Sequence, residues 1–411
     1  MTNCLDTSGN YSPYRAVRIS DHVYWVGAID WGLRDFHGYT TERGTTYNAY
    51  LILADTVTLI DTVRAPFVPE MLERVASVID PGCIDTLVSL HSEMDHSGGL
   101  PAVIARTNPA RVLASPNGVK ALMDHFHLES ALTTVKDSEV IDLGNMGLTV
   151  LEARMLHWPD SMLAYLDADK VFFTNDAFGM HLASSRRFDD EEEMAVLEHE
   201  AKNYYANILT PYSGLVLKLL ERVTSLNLPV SLVAPDHGPI WRSHIATVLH
   251  WYRTWAEQQP TTKAVVLYDT MWESTAKMAR AITEGLSAGG ATPRLMPIHG
   301  SHRSDIALEL IDAGALLVGS PTLNNNLFPP VADVLTYLKG LRKQNLIGAA
   351  FGSYGWGGEA VGQVQDILTA MKIDLVADGL KVKYVPDGAA LASCYALGQD
   401  VAARLLAKVA R

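Results

Sequence analysis

The sequence predicts an α/β protein of two domains, the second of them a doubly wound parallel sheet. Three observations predict this class: the length, the composition and the order of apolar segments. At 411 residues, the chain is long enough for two or three domains, since domains usually hold about 100–200 residues. Hydrophobic residues make up 48% and charged residues 19% of the chain, which is typical of a globular protein. Strand-like and helix-like segments alternate through the second half, as a parallel sheet with crossover helices requires.

The first half contains short apolar strands. We predict strands over Tyr47–Leu53, Val57–Asp61, Thr86–Leu90 and Val230–Ala234. His, Asp and Glu residues follow several of these strands directly. The polar segment Gln258–Thr262 then ends the pattern, as a linker does. We therefore place the domain limits at residues 1–257 and 263–411.

From residue 263 onward, strands and helices alternate regularly. The predicted strands are Ala264–Tyr268, Pro293–Pro297, Ala315–Gly319, Ile347–Phe351 and Lys381–Val385. The predicted helices are Ser274–Ala288, a helix after Pro329-Pro330, Glu359–Met371 and Ala389–Ala407. In a doubly wound sheet, ligands bind outside the carboxyl ends of the strands. The loops that leave Tyr268, Gly319 and Phe351 are therefore the expected ligand-binding loops.

Charge and cysteine content exclude several classes of function. The net charge of −13 argues against nucleic acid binding, because phosphate backbones need clustered Lys and Arg. Cys4, Cys83 and Cys394 form no CxxC pair, which excludes a disulfide-rich scaffold or a thiolate metal knuckle and fits a reducing, cytoplasmic setting. Residues 1–15 lack the apolar core of a signal peptide. No segment has the roughly 18 apolar residues that a membrane span needs.

Candidate metal ligands follow the predicted strand Thr86–Leu90 directly. These residues are His91, Glu93, Asp95 and His96. Further candidates stand at strand ends or on loops later in the chain: His157, Asp176 and His237. Seven ligands are too many for one ion, but they suit two ions that share a carboxylate. Imidazoles and carboxylates without a thiolate favour iron, with manganese and zinc as alternatives.

The HxExDH block, together with the later His, Asp and His, resembles the metallo-β-lactamase fold as flavodiiron proteins use it. Hydrolytic relatives carry HxHxDH, so Glu93 is the difference associated with the diiron members. The resemblance implies an αββα sandwich domain followed by a flavodoxin-like domain. Further segments that carry it are Asp35–Tyr39, Gly44–Asn48, His157–Met162, Tyr204–Ile208 and Ala234–Gly238.

The resemblance also implies a role for each candidate. One iron would be held by His91, Glu93 and His157, the other by Asp95, His96 and His237, with Asp176 bridging them. His37, Tyr39 and Tyr205 are similar to groups that supply protons or hydrogen bonds to oxygen species beside the metals. We expect His181, further along the chain, at the surface, with a more distant place among these groups as the alternative.

The ligand-binding loops of the second half agree with a flavodoxin-like domain that binds FMN. The first loop has hydroxyls and N–H groups at a helix N-terminus but no Lys or Arg, which suits a monophosphate better than a P-loop ligand. The later two are turn-rich, so a flat ring can contact their backbone amides. Leu323 stands where the family often has a His, and Glu273 is expected to face solvent because it would repel the phosphate. The residues predicted to bind FMN are Thr270, Met271, Trp272, Glu273, Ser274, Thr275, Pro321, Thr322, Leu323, Asn324, Asn325, Ser353, Tyr354, Gly355, Trp356 and Gly357.

The resemblance implies an oxidoreductase that reduces O₂ to water or NO to N₂O with electrons from a separate donor. Rubredoxin is the first candidate for this donor, since no CxxC pair is present for a fused rubredoxin module. The expected assembly is a head-to-tail homodimer or a dimer of dimers, with Trp356 either at the subunit junction or in plain packing. Two other functions stay open: a zinc hydrolase with a flavodoxin-like appendage, which Glu93 and the flavin loops oppose, and a flavodoxin-type electron carrier. The sequence does not choose between O₂ and NO.

Overall fold

The computed structural model describes residues 12–128 and 132–410. Cys4 and the start of the polar N-terminal segment lie outside these residues. The strands are β1 (Val17–Arg18), β2 (Val23–Trp25), β3 (Ala28–Asp30), β4 (Asp35–Phe36), β5 (Tyr39–Thr40), β6 (Thr45–Tyr47), β7 (Tyr50–Ile52), β8 (Thr58–Ile60), β9 (Thr86–Val88), β10 (Arg111–Ala114), β11 (Leu132–Thr134), β12 (Val140–Asp142), β13 (Gly147–Glu152), β14 (Met162–Leu166), β15 (Val171–Phe173), β16 (Leu232–Ala234), β17 (Lys263–Tyr268), β18 (Thr292–Pro297), β19 (Ala315–Gly319), β20 (Thr322–Leu323), β21 (Asn326–Leu327), β22 (Ile347–Tyr354), β23 (Asp374–Leu375) and β24 (Leu380–Lys383).

The helices alternate with these strands in both halves. They are α1 (Val68–Ala76), α2 (Met94–Ser97), α3 (Leu100–Thr107), α4 (Pro116–Phe126), α5 (Met194–Tyr204), α6 (Ser213–Leu226), α7 (Ile245–Glu257), α8 (Ser274–Ala288), α9 (Arg303–Leu310), α10 (Pro329–Leu341), α11 (Glu359–Ala370) and α12 (Gly388–Val409). Within the described ranges, no helix combines the length and the apolar character that crossing a bilayer requires.

The chain divides into two compact units. The first consists of Met1–His37, Thr41–Tyr204 and Gly214–Tyr252. The second consists of Gly38–Thr40, Tyr205–Ser213 and Arg253–Arg411.

Two sheets packed face to face form the first unit. Their strand orders are β1-β2-β7-β8-β9-β10-β11 and β12-β13-β14-β15-β16. Val88 of the first sheet and Phe173 of the second belong to one buried apolar cluster, which fills the space between the sheets. Helices α1, α3 and α4 cover the other face of the first sheet, where Leu122 is fully buried. Helix α6 lies against the second sheet, and Arg222 donates to the carbonyl of Glu152 in β13 at 3.0 Å. The predicted αββα sandwich is confirmed.

The predicted strand Tyr47–Leu53 is wrong, because the structure has two strands, β6 and β7, in its place. Asn48 separates them. Its backbone N–H donates to the carbonyl of Asp236 at 2.7 Å, and its side-chain amide donates to the carbonyls of Pro235 and Gly238 at 2.7 and 2.9 Å. These hydrogen bonds satisfy the backbone N–H and the side-chain amide of Asn48 without any pairing to a neighbouring β-strand. They also tie the end of β6 to the loop that carries His237.

The second unit is a parallel sheet with helices on both faces. Its strand order is β18-β17-β19-β22-β23, and β24 also pairs with β22. Every one of these pairings is parallel. Helices α8 and α12 cover one face, and α9, α10 and α11 cover the other. The predicted doubly wound sheet is therefore confirmed. The short strand β23 was not predicted, since two residues give no readable alternation.

Helices α8 and α12 approach each other closely enough for their backbones to touch. A Cβ at Gly285 would lie 2.0 Å from the carbonyl oxygen of Tyr395. A Cβ at Gly398 would lie 2.2 Å from the carbonyl oxygen of Ile282. Only glycine fits at both positions, so this contact fixes α8, whose first turn borders the first predicted ligand-binding loop.

Candidate metal centre and cofactor cavity

Side chains from both sheets of the first unit converge on one buried cluster. His91–His96 follow β9 of the first sheet, and the other members follow strands of the second sheet. Strands β15 and β16 are parallel, so the loops after them leave the same edge of the sheet. We call this set the metal-ligand cluster; it contains all seven predicted ligands: His91, Glu93, Asp95, His96, His157, Asp176 and His237.

Asp176 lies at the centre of the metal-ligand cluster. Its Oδ2 is 3.0 Å from His157 Nε2 and 3.4 Å from His91 Nε2. Its Oδ1 is 3.5 Å from His96 Nε2 and 3.7 Å from His237 Nε2. Each carboxylate oxygen therefore faces a different pair of imidazoles, which is the arrangement that a bridging ligand between two ions needs.

Two further carboxylates lie beside the imidazoles, one near each oxygen of Asp176. Glu93 Oε2 lies 3.0 Å from His157 Nε2. Asp95 Oδ2 lies 3.2 Å from His237 Nε2 and 3.4 Å from His96 Nε2. Sets whose ligand atoms all lie within 4.8 Å of one another are Glu93, His157 and Asp176; Asp95, His96 and His237; and His91, His96 and Asp176. The second set contains the three residues expected on one side, whereas His91, expected with Glu93 and His157, is grouped with His96 and Asp176. The assignment of ligands to each ion therefore stays a prediction.

Within the described part of the chain, several buried polar atoms of the cluster have no hydrogen-bond partner. They include both ring nitrogens of His91, both carboxylate oxygens of Asp95 and Oδ1 of Asp176. Leaving such a group unpaired costs about 1–3 kcal/mol, so buried charges in native proteins are paired or bind metals. The nitrogen and oxygen donors, without sulfur, suit iron. The residues present therefore fit two metal ions.

In this cluster the pKa values of Glu93 and Asp176 are lowered and that of His157 is raised, which favours their charged forms. Burial alone would raise the pKa of Glu93, but hydrogen bonds from His157 and His37, with His91 nearby, outweigh it, and the pKa falls well below its usual range. Burial also opposes ionisation of Asp176, but the charge of His91 and a hydrogen bond from His157 lower its pKa well below normal. Burial would lower the pKa of His157, but hydrogen bonds from Asp176 and Glu93 raise it to about 9. Metal binding replaces such protons with cations.

Groups around the cluster orient its ligands. His237 Nδ1 lies 2.6 Å from the carbonyl of Thr46, so this nitrogen donates and Nε2 remains free to bind a metal. His37 Nε2 lies 3.0 Å from Glu93 Oε1, which brings one of the residues predicted beside the metals into contact with a ligand. The side chain of His37 is 67% exposed, so it connects Glu93 to the surface.

Tyr39 and Tyr205, the other two residues predicted beside the metals, belong to the second compact unit. Tyr39 is buried in β5. The Tyr205 hydroxyl lies 3.2 Å from Ser213 Oγ. Their role at the metals remains a prediction.

His181 is fully buried, so its expected surface position is wrong. Its ring centroid lies 4.7 Å from that of His237, and its Nδ1 lies 2.9 Å from Thr45 Oγ1. Burial, followed by the charge of His237, lowers the pKa of His181 well below its usual value. The apolar residues Ala177 and Phe178 just before it were the signal that this loop runs inside the protein.

Sequence reasoning also missed two buried carboxylates beside the cluster. Asp236 Oδ2 lies 3.7 Å from His91 Nδ1. Asp61 Oδ1 accepts a hydrogen bond from the N–H of Leu90 at 2.8 Å, and burial raises the pKa of Asp61 to about 6. Both follow strand ends directly, as the predicted ligands do, so the same signal could have found them.

A cavity of about 480 Å³ opens at the carboxyl ends of the strands in the second unit. Among the residues predicted to bind FMN, those that line it are Met271, Trp272, Ser274, Pro321, Thr322, Leu323, Asn324, Asn325, Ser353, Tyr354, Gly355, Trp356 and Gly357. Tyr384 and Val385 line it as well and were not predicted. They follow β24, which ends at Lys383, whereas the predicted strand Lys381–Val385 included both of them.

The remaining three predicted residues lie in the first loop. Thr270 Oγ1 is buried and has no hydrogen-bond partner in residues 12–128 and 132–410, which leaves it available to a phosphate oxygen. Thr275 Oγ1 lies 2.9 Å from Ser353 Oγ and so joins the first loop to the third. Glu273 is 63% exposed and lies 3.5 Å from Arg280, which confirms that it faces solvent. The loops and the cavity therefore fit FMN.

Comparison with known proteins gives two matching family models: ODP family beta lactamase over residues 45–238 and Flavodoxin over residues 266–398. The chain is 46% identical to the nitric oxide reductase of Moorella thermoacetica, over 95% of this chain and 98% of that one. The solved rubredoxin oxygen:oxidoreductase from Desulfovibrio gigas is 45% identical with a TM-score of 0.95, over 97% of this chain and 100% of that one. The flavodiiron protein from Giardia intestinalis is 32% identical with a TM-score of 0.93, over 98% and 99%.

The chain belongs to the flavodiiron protein family. As a flavodiiron protein it is an oxidoreductase, and its cofactors are FMN in the flavodoxin domain and a non-haem diiron pair. The similarity extends over nearly the whole chain, so it covers the metal-ligand cluster and the cavity together. The zinc hydrolase that the sequence left open is not favoured.

Proposed function

We propose that this flavodiiron protein takes electrons from rubredoxin, or from another soluble donor, and reduces O₂ to water, NO to N₂O, or both. The bound FMN would supply electron uptake, and the two irons would supply the place where the gas is reduced. Both gases stay in the proposal because one similar relative is named a nitric oxide reductase and another a rubredoxin oxygen:oxidoreductase.

The observation that carries the proposal is Asp176, whose two oxygens each face a different pair of imidazoles at 3.0–3.7 Å. A single structural ion would need only one of these sides. Two ions that share this carboxylate would supply two neighbouring positions at which O₂ or NO can bind. The proposed ligands are the seven residues of the metal-ligand cluster.

His37, Tyr39 and Tyr205 are proposed to assist at the reacting atoms. His37 is the best supported, since its Nε2 lies 3.0 Å from Glu93 Oε1 and its side chain reaches solvent. In this position it can bring protons from water to the ligand side of the cluster. The 16 residues predicted from the sequence are proposed to hold FMN, and 13 of them line the cavity.

We also propose a head-to-tail homodimer or a dimer of dimers. Trp272 and Trp356 support an interface, because they are 88% and 90% exposed beside the cavity and exposed aromatic surface is typical of contact sites. The domain limits 1–257 and 263–411 and the cytoplasmic setting stay predictions.

The function is tested with the purified protein, reduced rubredoxin and either gas. We expect yellow protein with FMN, two irons per chain, and donor-dependent consumption of O₂ or NO. The variant Glu93→Ala should lose iron and activity but keep FMN, since Glu93 is in the metal-ligand cluster and FMN binds in the other unit. Zinc in place of iron would favour the hydrolase. A protein that accepts electrons but consumes neither gas would favour a simple electron carrier.

A further inference from the structure

A second cavity, of about 500 Å³, lies at the other edge of the flavodoxin sheet. We call it the basic cavity; it is lined in part by Leu338, Lys339, Arg342, Lys343, Met371 and Lys372. The segment at Arg342 and Lys343 leads into β22, and Lys372 leads into β23. The basic cavity therefore lies at the amino ends of the strands, whereas the FMN cavity lies at the carboxyl ends.

The charge of the basic cavity is opposite to that of the protein. Four of its lining side chains are cationic, and no Asp or Glu of the described residues lines it, although the chain carries a net charge of −13. Cations near the C-terminus of a helix are stabilised by the helix dipole. This effect accounts for Lys339 and Arg342 at the end of α10, but it does not account for a lysine that is buried.

Lys343 is that buried lysine. Only 6% of it is exposed, and its Nζ has no hydrogen-bond partner among the residues that the structure describes. Burial lowers its pKa to about 8, although Asp312 partly opposes this shift. The adjacent backbone is fixed, because the N–H of Gln344 donates to Gln258 Oε1 at 2.8 Å and the Asn345 amide donates to the Gln258 carbonyl at 3.2 Å. A buried ammonium group without a partner lacks the compensation that such groups normally have.

We propose that the basic cavity binds a small organic polyphosphate, with Lys343 as a direct contact to its phosphate oxygens. Four cations around one cavity suit a ligand with several adjacent negative charges. The volume falls within the range of small-molecule sites. Leu338 and Met371 add apolar wall, which suits an organic body beside the phosphates. The proposed site is separate from the FMN cavity, so it goes beyond the proposed reaction.

Calorimetric titration of the holoprotein, with FMN and iron bound, tests the proposal. The probes are inorganic pyrophosphate and adenosine triphosphate, at constant ionic strength because salt screens surface charges. We expect one saturable site per chain in the unchanged protein. The variant Lys343→Met should bind both probes at least about tenfold more weakly, since a hydrogen bond to a charged group is lost. The control Lys120→Gln removes an exposed lysine of the first unit and should change nothing.

Lys339→Gln, an exposed position of the same cavity, keeps the test decisive if Lys343→Met does not fold. It should also weaken both probes, and retained FMN would show that the protein is intact. No saturable binding, or equal binding in the variants and the control, would overturn the proposal. Equal affinity for a poly-glutamate peptide would overturn it in favour of an acidic protein surface.

Discussion

Asp176→Asn tests the bridging geometry directly. The substitution keeps the size of the side chain but removes its charge and replaces one of its two oxygens with an NH₂ group. Each oxygen faces two imidazoles at 3.0–3.7 Å, so one ion loses its ligand and the other keeps only a neutral one. Changes to groups that merely support a ligand cost about 10–100-fold in metal affinity. We expect at least this loss on each side, and iron should fall from two per chain to less than one.

The assay is iron and FMN analysis of the same purified sample. FMN should stay at one per chain, because its cavity lies in the other unit. Asp169→Asn is the matched control. Asp169 is also a buried carboxylate of the first unit that contacts an imidazole, with Oδ1 2.6 Å from His22 Nδ1, but it is not in the metal-ligand cluster. An Asp176→Asn protein that keeps two irons, like the control, would refute the bridging role.

Two further predictions concern the cofactor cavity and the charge of the first unit. Thr270→Val should raise the Kd for FMN about tenfold or more, because it removes a buried hydroxyl that is free to bind a phosphate oxygen; fluorescence of released flavin measures this, and an unchanged Kd would contradict it. Burial raises the pKa of Glu200 from 4.5 to about 7, although Arg43 opposes the shift. The folded state therefore binds more protons than the unfolded state between these pH values, and Glu200 makes stability fall as pH rises from about 4.5 to 7. Glu200 should make the free energy of unfolding lower at pH 8 than at pH 5 by no more than about 3 kcal/mol, and Glu200→Gln should remove this contribution. Urea unfolding at both pH values measures it; the same pH dependence in both proteins would show the reasoning to be wrong.

The seven candidate ligands lie close together because each stands within a few residues after the end of a strand. Strand ends are readable from local patterns, and parallel strands bring their ends to one edge. Asp61 and Asp236 also stand at strand ends but were not taken as functional, so they were missed. His181 was misplaced although the apolar Ala177 and Phe178 before it indicate a buried loop; its contact with His237 is distant in the sequence.

The remaining differences also come from contacts that are distant in the sequence. The break between β6 and β7 depends on bonds from Asn48 to the loop around residues 235–238. Lys343 looks like an ordinary surface lysine in its polar neighbourhood, and only the tertiary structure shows that it is buried. The segment at Tyr384 and Val385 lacks the hydroxyl-rich and glycine-rich motifs that mark the earlier ligand-binding loops.

The origin of the metal ligands in both sheets has a consequence for assembly. Metal binding energy is also folding energy when the site forms only in the folded chain. His91–His96 follow a strand of one sheet, and His157, Asp176 and His237 follow strands of the other, so two bound metal ions would link the two sheets of the sandwich. The ligand set is complete only when His237 has reached it, so full iron loading reports that the two sheets have packed together.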